Sequence, residues 1–298
     1  MTRILILGGA GMLGHKMFQH LRTRYPETWC TIRGAVTDPA FRHIALFQQG
    51  QVIEGVDAMN LPALAALLHD RQPDVIINCV GIIKQRHEAK AYIPSITINA
   101  LLPHQLAEWG KDWGARIIHF STDCVFNGKR GGYREEDFSD AEDLYGKSKY
   151  LGEVTCENAV TLRTSIIGRE LSHFQSLLEW FLRQQGQTIQ GFTRAYYSGV
   201  TTNYLARLVG DLITDFPQLS GRYQVTSPTI AKYDLLCLLR DAFTLPVTIM
   251  PNTEAFCDRS MYGDVFRQAT GYPEPDWPSL VRELADDPTP YAVWQTAA

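Results

Sequence analysis

A glycine-rich loop near the start of the chain constrains the fold more than any other feature of the sequence. The apolar run Ile4-Leu5-Ile6-Leu7 leads into Gly8-Gly9-Ala10-Gly11-Met12-Leu13-Gly14, and residues 12–24 then place apolar side chains at helical spacing. Glycines let the backbone turn tightly and approach a ligand, and the free N–H groups at a helix N-terminus attract negative charge. The loop therefore predicts the first strand–helix unit of a dinucleotide-binding fold, with a purely structural turn as the alternative. The residues expected at the dinucleotide are Gly8, Gly11, Met12, Leu13 and Gly14.

Apolar runs and helical patterns alternate through the first half of the chain. The runs at 75–79, 117–121 and 160–163 are typical of buried strands in a parallel sheet. This alternation predicts an α/β fold with a Rossmann-type doubly wound parallel sheet and a smaller C-terminal α/β substrate-binding lobe. Helical patterns cover 12–24, 61–70, 99–113, 143–158, 172–186, 233–243 and 261–270. We expect a nucleotide-binding domain over 1–168, with 193–220 packing back on it, and a substrate lobe formed by 169–192 and 221–298.

The second predicted strand bears on the choice of cofactor. Where a protein that prefers NAD carries an acidic residue for the ribose hydroxyls, this chain has Thr31-Ile32-Arg33. A cation there favours the 2′-phosphate of NADP, so we expect NADPH, with NADH as the alternative. A solvated surface arginine is the other interpretation of Arg33. Asp57 would suit the adenine amino group, or it could cap the helix that begins near Leu61.

A hydroxyl, a phenol and an ammonium group stand in a spacing that suits carbonyl reduction. Thr122 follows a predicted strand, and Tyr145 and Lys149 lie four residues apart. Four residues make about one helical turn, so both side chains point to one face of a helix. The lysine charge is expected to lower the pKa of Tyr145, which would then serve as a general acid. The alternatives are an exposed helix pair for Tyr145 and Lys149 and a backbone-bonded hydroxyl for Thr122.

Composition and charge argue against several classes of function. The 298 residues are 45% hydrophobic and 20% charged, with a net charge of -4 and both signs interspersed. No basic tract is present for a nucleic acid or an anionic membrane surface. The sequence shows no signal peptide and no run of ~20 apolar residues, which predicts a cytoplasmic protein. The six cysteines form no C-x-x-C pair and no zinc-type cluster, so neither a disulfide framework nor a metal site is expected.

Several motifs spread along the chain point to one family. They are Gly8 to Gly14, Asn78-Cys79-Val80-Gly81, Asn99, Ser121-Thr122-Asp123, the Tyr145/Lys149 pair, Leu162-Arg163-Thr164-Ser165, Tyr223-Gln224-Val225, Lys232-Tyr233-Asp234-Leu235 and Asp258-Arg259-Ser260. Together they resemble the extended short-chain dehydrogenase/reductase superfamily, and within it the dTDP-4-dehydrorhamnose reductase branch. The resemblance spans nearly the whole chain.

This resemblance implies a reductase of a nucleotide-activated 4-keto-6-deoxysugar, in deoxysugar or cell-surface polysaccharide biosynthesis. NADPH would deliver hydride to C4, Tyr145 would protonate the alkoxide and Thr122 would polarise the carbonyl. Lys149 would hold the nicotinamide ribose, and Asn99 would support a proton path or the helix that carries it. The residues implied at the cofactor are Cys79, Val80, Gly81, Tyr145 and Lys149, and those implied at the substrate are Thr122, Asp123 and Arg259. Arg259 would meet the substrate diphosphate, with a solvated loop arginine as the alternative.

Related functions stay open at this point. Cys124 lies where the related GDP-fucose synthases hold a cysteine, and His173 falls in the region of their histidine, so a bifunctional epimerase-reductase is one alternative. Packing of Cys124 and a solvated His173 are the plainer interpretations. A nucleotide-sugar 4-epimerase and a non-catalytic regulatory subunit that binds NADP and a sugar nucleotide are the others. Dehydration is not expected, because a cysteine rather than an acid follows the Thr-Asp pair.

The resemblance also bears on assembly. Many relatives form homodimers through the helices that bear Asn99 and Tyr145, and the apolar content of 99–113 permits a homodimer here. The nucleobase, the sugar configuration and the pathway are not fixed by these residues.

Overall fold

The computed structural model describes residues 1–83 and 90–295, which contain one large sheet and three small ones. The strands, numbered along the chain, are β1 Ile4–Leu7, β2 Thr28–Thr31, β3 Val52–Ile53, β4 Val75–Asn78, β5 Arg116–Ser121, β6 Ala159–Arg163, β7 Ile166–Ile167, β8 Thr188–Phe192, β9 Ala195–Tyr197, β10 Val200–Thr201, β11 Gly221–Gln224, β12 Ile230–Ala231, β13 Thr248–Asn252 and β14 Cys257–Asp258.

The large sheet has seven strands in the order β11-β6-β5-β4-β1-β2-β3, and every neighbouring pair is parallel. The chain builds β1 to β3 in one direction and then returns past β1 to build β4 to β6 on the other side. This reversal between β1 and β4 is the switch point of a doubly wound sheet, and ligands bind outside it at the carboxyl ends of the strands. The predicted Rossmann-type fold is confirmed.

Helices connect the strands. They are α1 Met12–Arg24, α2 Ala45–Gln48, α3 Leu61–Arg71, α4 Tyr92–Ser95, α5 Leu102–Lys111, α6 Leu144–Leu151, α7 Leu177–Leu182, α8 Thr202–Thr214, α9 Lys232–Ala242, α10 Asp264–Thr270, α11 Trp277–Ala285 and α12 Tyr291–Gln295. A π-helical turn, Ile96–Leu101, joins α4 to α5, and a 3-10 turn, Asp123–Val125, follows β5. Over residues 1–83 and 90–295, each helix is too short or too polar to cross a membrane.

The core lies on both faces of the large sheet. Ile4 and Ile6 of β1 point to one face and belong to the same cluster as Met17 of α1. Leu5 and Leu7 point to the other face and cluster with the apolar side of α3. These four strand residues are at most 2% exposed, which explains why β1 is a continuous apolar run instead of an alternating pattern.

The large sheet extends further along the chain than the sequence suggests. We expect residues from 221 onward in the substrate lobe, but β11 is the outermost strand of the large sheet and pairs with β6 from Gly221↔Val160 to Gln224↔Arg163. Its backbone groups complete the edge of β6 that would otherwise lie open. The small sheets pair β10 with β7, β8 with β13, and β9 with both β12 and β14.

Two helices, α6 and α7, are about half as long as their sequence patterns or shorter. In α6 the cap is Asp143, whose Oδ1 accepts from the Gly146 N–H at 2.8 Å, but the helix ends at Leu151 instead of residue 158. Gly152 follows it and packs so closely that an added Cβ would lie 1.9 Å from the Asn99 carbonyl oxygen. Of the pattern at 172–186, only Leu177–Leu182 is α-helical.

Gly14→Ala is expected to destabilise the protein. An added Cβ would lie 2.0 Å from the Gly8 carbonyl oxygen, and overpacking of this kind typically costs ~1–3 kcal/mol. Gly11→Ala is the matched control, since its Cβ would lie 3.4 Å from the same oxygen at a φ of -78°. Urea denaturation compares the two variants, and equal unfolding midpoints would contradict this account of the loop.

Candidate active site

A cleft of about 560 Å³ opens at the carboxyl ends of β1, β2 and β4, outside the switch point of the sheet. Its volume lies within the range of small-molecule sites. Seven of the residues expected at a cofactor line it: Gly8, Gly11, Arg33, Asp57, Cys79, Val80 and Gly81. Phe41, Met59, Ile98 and Ser172 line it as well, and the sequence gives no local signal for them.

The glycine loop brings backbone N–H groups to the wall of this cleft. Gly8 has a φ of +84°, a left-handed conformation that favours glycine, and its N–H donates to Thr31 Oγ1 at 3.1 Å. Gly11 caps α1 without a side chain, so the first-turn N–H groups of α1 are available to an anion. Leu13 is buried in the core and Gly14 packs on the Gly8 carbonyl, so these two residues support the loop from behind. Met12 is half-buried at the start of α1.

Arg33 and Asp57 lie exposed at the rim of the cleft. Asp57 Oδ1 accepts from the Met59 N–H at 3.0 Å, whereas the side chain of Asn60 caps α3 by accepting from the Ala63 N–H. Asp57 is therefore not the cap of α3. Its exposed carboxylate at the rim suits recognition of a polar ligand group, as the guanidinium of Arg33 does.

Thr122 and Tyr145 meet from two different elements. Thr122 lies directly after β5, where its Oγ1 accepts from the Cys124 N–H at 3.1 Å and donates to Asp123 Oδ1 at 3.0 Å. Tyr145 lies in the first turn of α6, where its phenol is close enough to the Thr122 side chain for that side chain to affect its pKa. Gly146 permits the approach, because a Cβ there would lie 2.2 Å from the Cys124 carbonyl oxygen. Thr122 therefore accepts a hydrogen bond from the backbone and also lies close to Tyr145, so both interpretations of this residue hold.

The pKa of Tyr145 moves in the direction opposite to the one expected. Burial raises the pKa of this phenol well above its ordinary value, since the phenolate loses solvation, although the nearby Thr122 side chain lowers it. Lys149, expected to lower this pKa, instead donates from Nζ to the Phe120 carbonyl oxygen at 2.6 Å. The expectation is wrong, because burial outweighs any effect of the lysine charge. Tyr145 keeps its proton at neutral pH, as a proton donor must.

Lys149 carries a charge that is sensitive to its surroundings. Burial lowers the pKa of this lysine to about 8, while Glu153 and Cys79 raise it. Cys79 also lines the nucleotide cleft. Lys149 is therefore within electrostatic range of the cleft and is mostly protonated at pH 7.

Asn99 connects the wall of the cleft to the helix of Tyr145. Its Oδ1 accepts from the Ile82 N–H at 2.9 Å, and its Nδ2 donates to the Ile82 carbonyl at 3.0 Å and to Ser148 Oγ at 3.3 Å. Asn99 is 1% exposed. These contacts give it a positioning role: it holds the segment after β4 against α6.

Two cations lie within electrostatic range of Asp123. Burial raises the pKa of the Asp123 carboxyl, while Arg259 and Lys232 lower it. Arg259 is half-buried, and its Nε donates to the Phe126 carbonyl at 2.8 Å. Arg259 thus lies within electrostatic range of Asp123, the residue that follows Thr122. Lys232 begins α9, and its part in the site is a feature that the sequence analysis missed, although the residue lies within a motif of the resemblance.

Cys124 and His173 lie on different parts of the site. Cys124 is in the 3-10 turn after β5, where it acts electrostatically on Tyr145 and Arg259. His173 is exposed, has a φ of +68° and lines the nucleotide cleft. Of these two residues, His173 lines the nucleotide cleft and Cys124 does not. Within 1–83 and 90–295, no group of three or more His, Cys, Asp or Glu side chains could hold a metal ion.

A buried ion cluster, which the sequence analysis missed, lies between the strand that leads to Thr122 and the end of the helix that carries Tyr145. Glu153 Oε1 accepts from Ser121 Oγ at 2.6 Å and from Arg163 Nε at 2.9 Å, and Oε2 accepts from Arg163 Nη2 at 2.7 Å and Arg222 Nη1 at 3.1 Å. The side chains of Glu153 and Arg163 are 2% and 0% exposed. The available signal is that Glu153 follows Lys149 by four residues within the predicted helix 143–158, although α6 ends at Leu151.

Glu153→Gln is expected to lower the free energy of unfolding by ~3–5 kcal/mol, because it leaves buried arginine charge without a counter-ion. Glu108→Gln is the control, since Glu108 pairs with Lys111 at 2.6 Å on the exposed surface of α5 and should give little change. Thermal and urea unfolding measure both. Similar losses for the two variants would contradict a special role of the buried carboxylate.

Comparison with known proteins places this chain in a family. The family described as "RmlD substrate binding domain" matches residues 1–234. Methionine adenosyltransferase 2 subunit beta of Pongo abelii is 28% identical over 274 residues, covering 82% of this chain and 73% of that protein. Spore coat polysaccharide biosynthesis protein SpsK of Bacillus subtilis (strain 168) is 28% identical over 243 residues, covering 78% and 76%.

Solved structures share the fold. The dTDP-4-dehydrorhamnose reductase of Bacillus anthracis str. Ames, in complex with NADP, superposes with a TM-score of 0.77 at 20% identity, over 95% of this chain and 98% of that one. A hypothetical dTDP-4-dehydrorhamnose reductase from Sulfolobus tokodaii gives 0.75 at 23% identity, over 93% and 98%. These matches confirm the resemblance drawn from the motifs. The chain belongs to the RmlD substrate-binding domain family.

Proposed function

We propose that this protein is an NADPH-dependent 4-ketoreductase of a nucleotide-activated 4-keto-6-deoxysugar. The observation that carries the proposal is the meeting of Thr122 and Tyr145. Lys149, one turn along α6, acts electrostatically on Cys79 at the wall of the nucleotide cleft. A hydroxyl and a protonated phenol in contact are suited to polarise and protonate one carbonyl oxygen.

The cleft fits a dinucleotide. The positive φ of Gly8, the close packing of Gly14 and the uncapped start of α1 form a cradle that a pyrophosphate can enter. Arg33 at the rim would meet a 2′-phosphate, and Asp57 the adenine. NADPH, when bound, would supply the hydride. A reductase of the same fold from Bacillus anthracis was crystallised with NADP, which supports this choice.

The protein's own groups divide the remaining work. As the hydride bonds to the carbonyl carbon, the oxygen takes the π electrons of the C=O bond, and Tyr145 would donate its proton to that oxygen, because burial keeps the phenol protonated until that point. Thr122 would orient the same oxygen. Lys149 would hold the ribose hydroxyls, while Asn99 positions the segment after β4. Arg259 and Lys232 supply positive charge next to Asp123, where a substrate diphosphate would enter.

Two other functions have an observation in their favour. The similarity to methionine adenosyltransferase 2 subunit beta favours a regulatory subunit that binds NADP and a sugar nucleotide without turnover. The electrostatic interaction of Cys124 with Tyr145 favours a bifunctional epimerase-reductase. We rank the regulatory subunit below the reductase, because a binding protein needs no protonated phenol. We rank the epimerase-reductase below it because Cys124 is not among the residues that line the nucleotide cleft, whereas His173 is.

Assembly and domain division belong to the same proposal. The helices that bear Asn99 and Tyr145 expose apolar side chains that would suit a homodimer. These side chains are Tyr92, Ile93, Ile96, Leu101 and Leu151. In the proposed division, the nucleotide-binding domain is built on the large sheet and includes β11, and the substrate lobe is separate from that sheet.

The test is NADPH oxidation in deuterated water against dTDP-, UDP- and GDP-4-keto-6-deoxyhexoses, with NMR of the products. We expect hydride at C4 with at least one sugar, and a loss of ~10²–10⁴-fold in kcat for Tyr145→Phe. Tyr150→Phe is the matched control, because Tyr150 lies on the same helix but packs against the Val125 and Phe126 cluster.

Each outcome separates the candidates. Solvent deuterium at C3 or C5 that disappears in Cys124→Ser would establish the epimerase-reductase. NADPH binding without turnover of any sugar would favour the regulatory subunit and count against the reductase. Equal activity of Tyr145→Phe and wild type would rule out Tyr145 as the acid.

The pH dependence should show the charge of Lys149. Because the pKa of this lysine is lowered to about 8, its ammonium is present below pH 8 and is lost as the pH rises through that value. We expect kcat/KM for NADPH to fall above about pH 8, approaching tenfold per pH unit. In Lys149→Arg the charge persists, so the residual activity should lack this limb. The same alkaline limb in both proteins would contradict the assignment.

A further inference from the structure

We propose that residues 287–295, here called the C-terminal strap, hold the walls of the nucleotide cleft and that Tyr291 is a positioning residue for cofactor binding. The inference rests on the proposed function only in taking NADPH as the ligand of the cleft. Three stretches of the cleft wall are tied to this one segment: the glycine loop, the turn of Phe41 and the segment of Ser172 and His173.

The strap reaches the glycine loop through a histidine inside α1. His15 Nδ1 lies 2.9 Å from the Gly11 carbonyl oxygen and His15 Nε2 lies 2.8 Å from the Tyr291 hydroxyl. A carbonyl only accepts, so Nδ1 carries the proton and Nε2 accepts from Tyr291. Burial lowers the pKa of His15 to about 4, so the ring is neutral at pH 7 and this chain of hydrogen bonds keeps its direction. Gly11, at its end, lines the cleft and caps α1.

A buried ion pair fixes the start of the strap on α1. Lys16 Nζ donates to Asp287 Oδ2 at 2.5 Å and to Thr289 Oγ1 at 3.0 Å, and Asn203 of α8 donates to the same Asp287 oxygen at 2.9 Å. The side chains of Lys16 and Asp287 are 7% and 4% exposed. This anchor fixes the direction from which Tyr291 approaches His15.

The end of the strap holds the opposite wall. Gln295 Nε2 donates to the Glu170 carbonyl at 2.9 Å, and Arg169 Nη2 donates to Gln295 Oε1 at 3.2 Å. The guanidinium of Arg169 also lies 4.6 Å from the centre of the Tyr291 ring. Three residues after Glu170, the cleft is lined by His173.

The backbone of this wall is strained and depends on support from its surroundings. His173 and Phe174 have φ values of +68° and +51°. Residues other than glycine rarely adopt this region, and they keep it only where neighbouring contacts impose it. The contacts of Gln295 with Arg169 and Glu170 lie a few residues before the strained pair and provide such support.

The third wall is held through a backbone contact. His43 Nε2 donates to the Trp294 carbonyl oxygen. His43 lies in a turn in which the Ile44 N–H donates to the Phe41 carbonyl at 2.9 Å, and Phe41 lines the cleft. One short segment therefore sets the distance between three stretches of the cleft wall.

The catalytic groups rest on other contacts. Thr122 bonds Asp123 and Cys124, and Lys149 bonds Phe120. A change in the strap should therefore alter cofactor affinity and leave the chemical step intact. This separation distinguishes a positioning role from a general contribution to stability.

The experiment compares Tyr291→Phe with Tyr25→Phe. The control removes the hydroxyl of Tyr25, which donates to the Gly210 carbonyl at 2.8 Å at the other end of α1. We expect Tyr291→Phe to raise the Kd and KM for NADPH by ~3–10-fold, the effect of one hydrogen bond, with kcat within about twofold of wild type. Gln295→Ala, which removes the contact with the opposite wall, should raise the same Kd. Tyr25→Phe should leave it unchanged.

Wild-type Kd values in both Tyr291→Phe and Gln295→Ala would overturn the inference, as would an equal rise in Tyr25→Phe. The Kd is measured by NADPH fluorescence and needs no sugar substrate. If the protein binds NADPH but reduces no ketosugar, the reductase proposal fails, while the Kd comparison still decides the role of the strap. If wild-type protein binds no NADPH, both proposals fail.

Discussion

Glu153 places a negative charge in the interior of the protein, where 2% of its side chain is exposed. Removing a carboxylate from water costs several kcal/mol, so such a group is stable only with several donors around it. Ser121, Arg163 and Arg222 donate to it from the ends of β5 and β6 and from β11. One carboxylate thus joins three strands of the large sheet to the end of the helix that carries Tyr145. One of its donors, Ser121, is the residue directly before Thr122.

The same carboxylate affects the proton of Lys149, one turn earlier along the chain. Burial favours the neutral amine and Glu153 favours the ammonium, and the balance leaves a pKa of about 8. For Tyr145, burial and the nearby Cys124 both favour the neutral phenol. Both groups therefore hold their protons at neutral pH, by different causes: an opposing charge keeps the lysine protonated, whereas loss of solvation keeps the tyrosine protonated.

Local patterns predict the parts of the site that depend on neighbours along the chain. The bounds of β1 and α1 agree with the sequence because glycine conformation and apolar periodicity are local properties. The spacing of Tyr145 and Lys149 likewise predicts their shared helix. The direction of the Tyr145 pKa shift, the pairing of β11 with β6 and the contacts of Glu153 with Arg222 depend on residues far apart in sequence. Periodicity along the sequence does not show which side chains contact one another in the protein interior.

The nucleotide cleft and the chemical groups are held by different contacts, and this separation bears on the range of functions in the family. The glycine loop is fixed by backbone approaches that exclude a side chain: at Gly9 an added Cβ would lie 2.7 Å from Cys30 Sγ. Thr122, Tyr145 and Lys149 depend instead on α6 and on Glu153. A protein of this fold could therefore lose the side chains of Thr122 and Tyr145 and keep its cleft. In this chain the phenol of Tyr145 still meets Thr122, a contact that cofactor binding alone does not require.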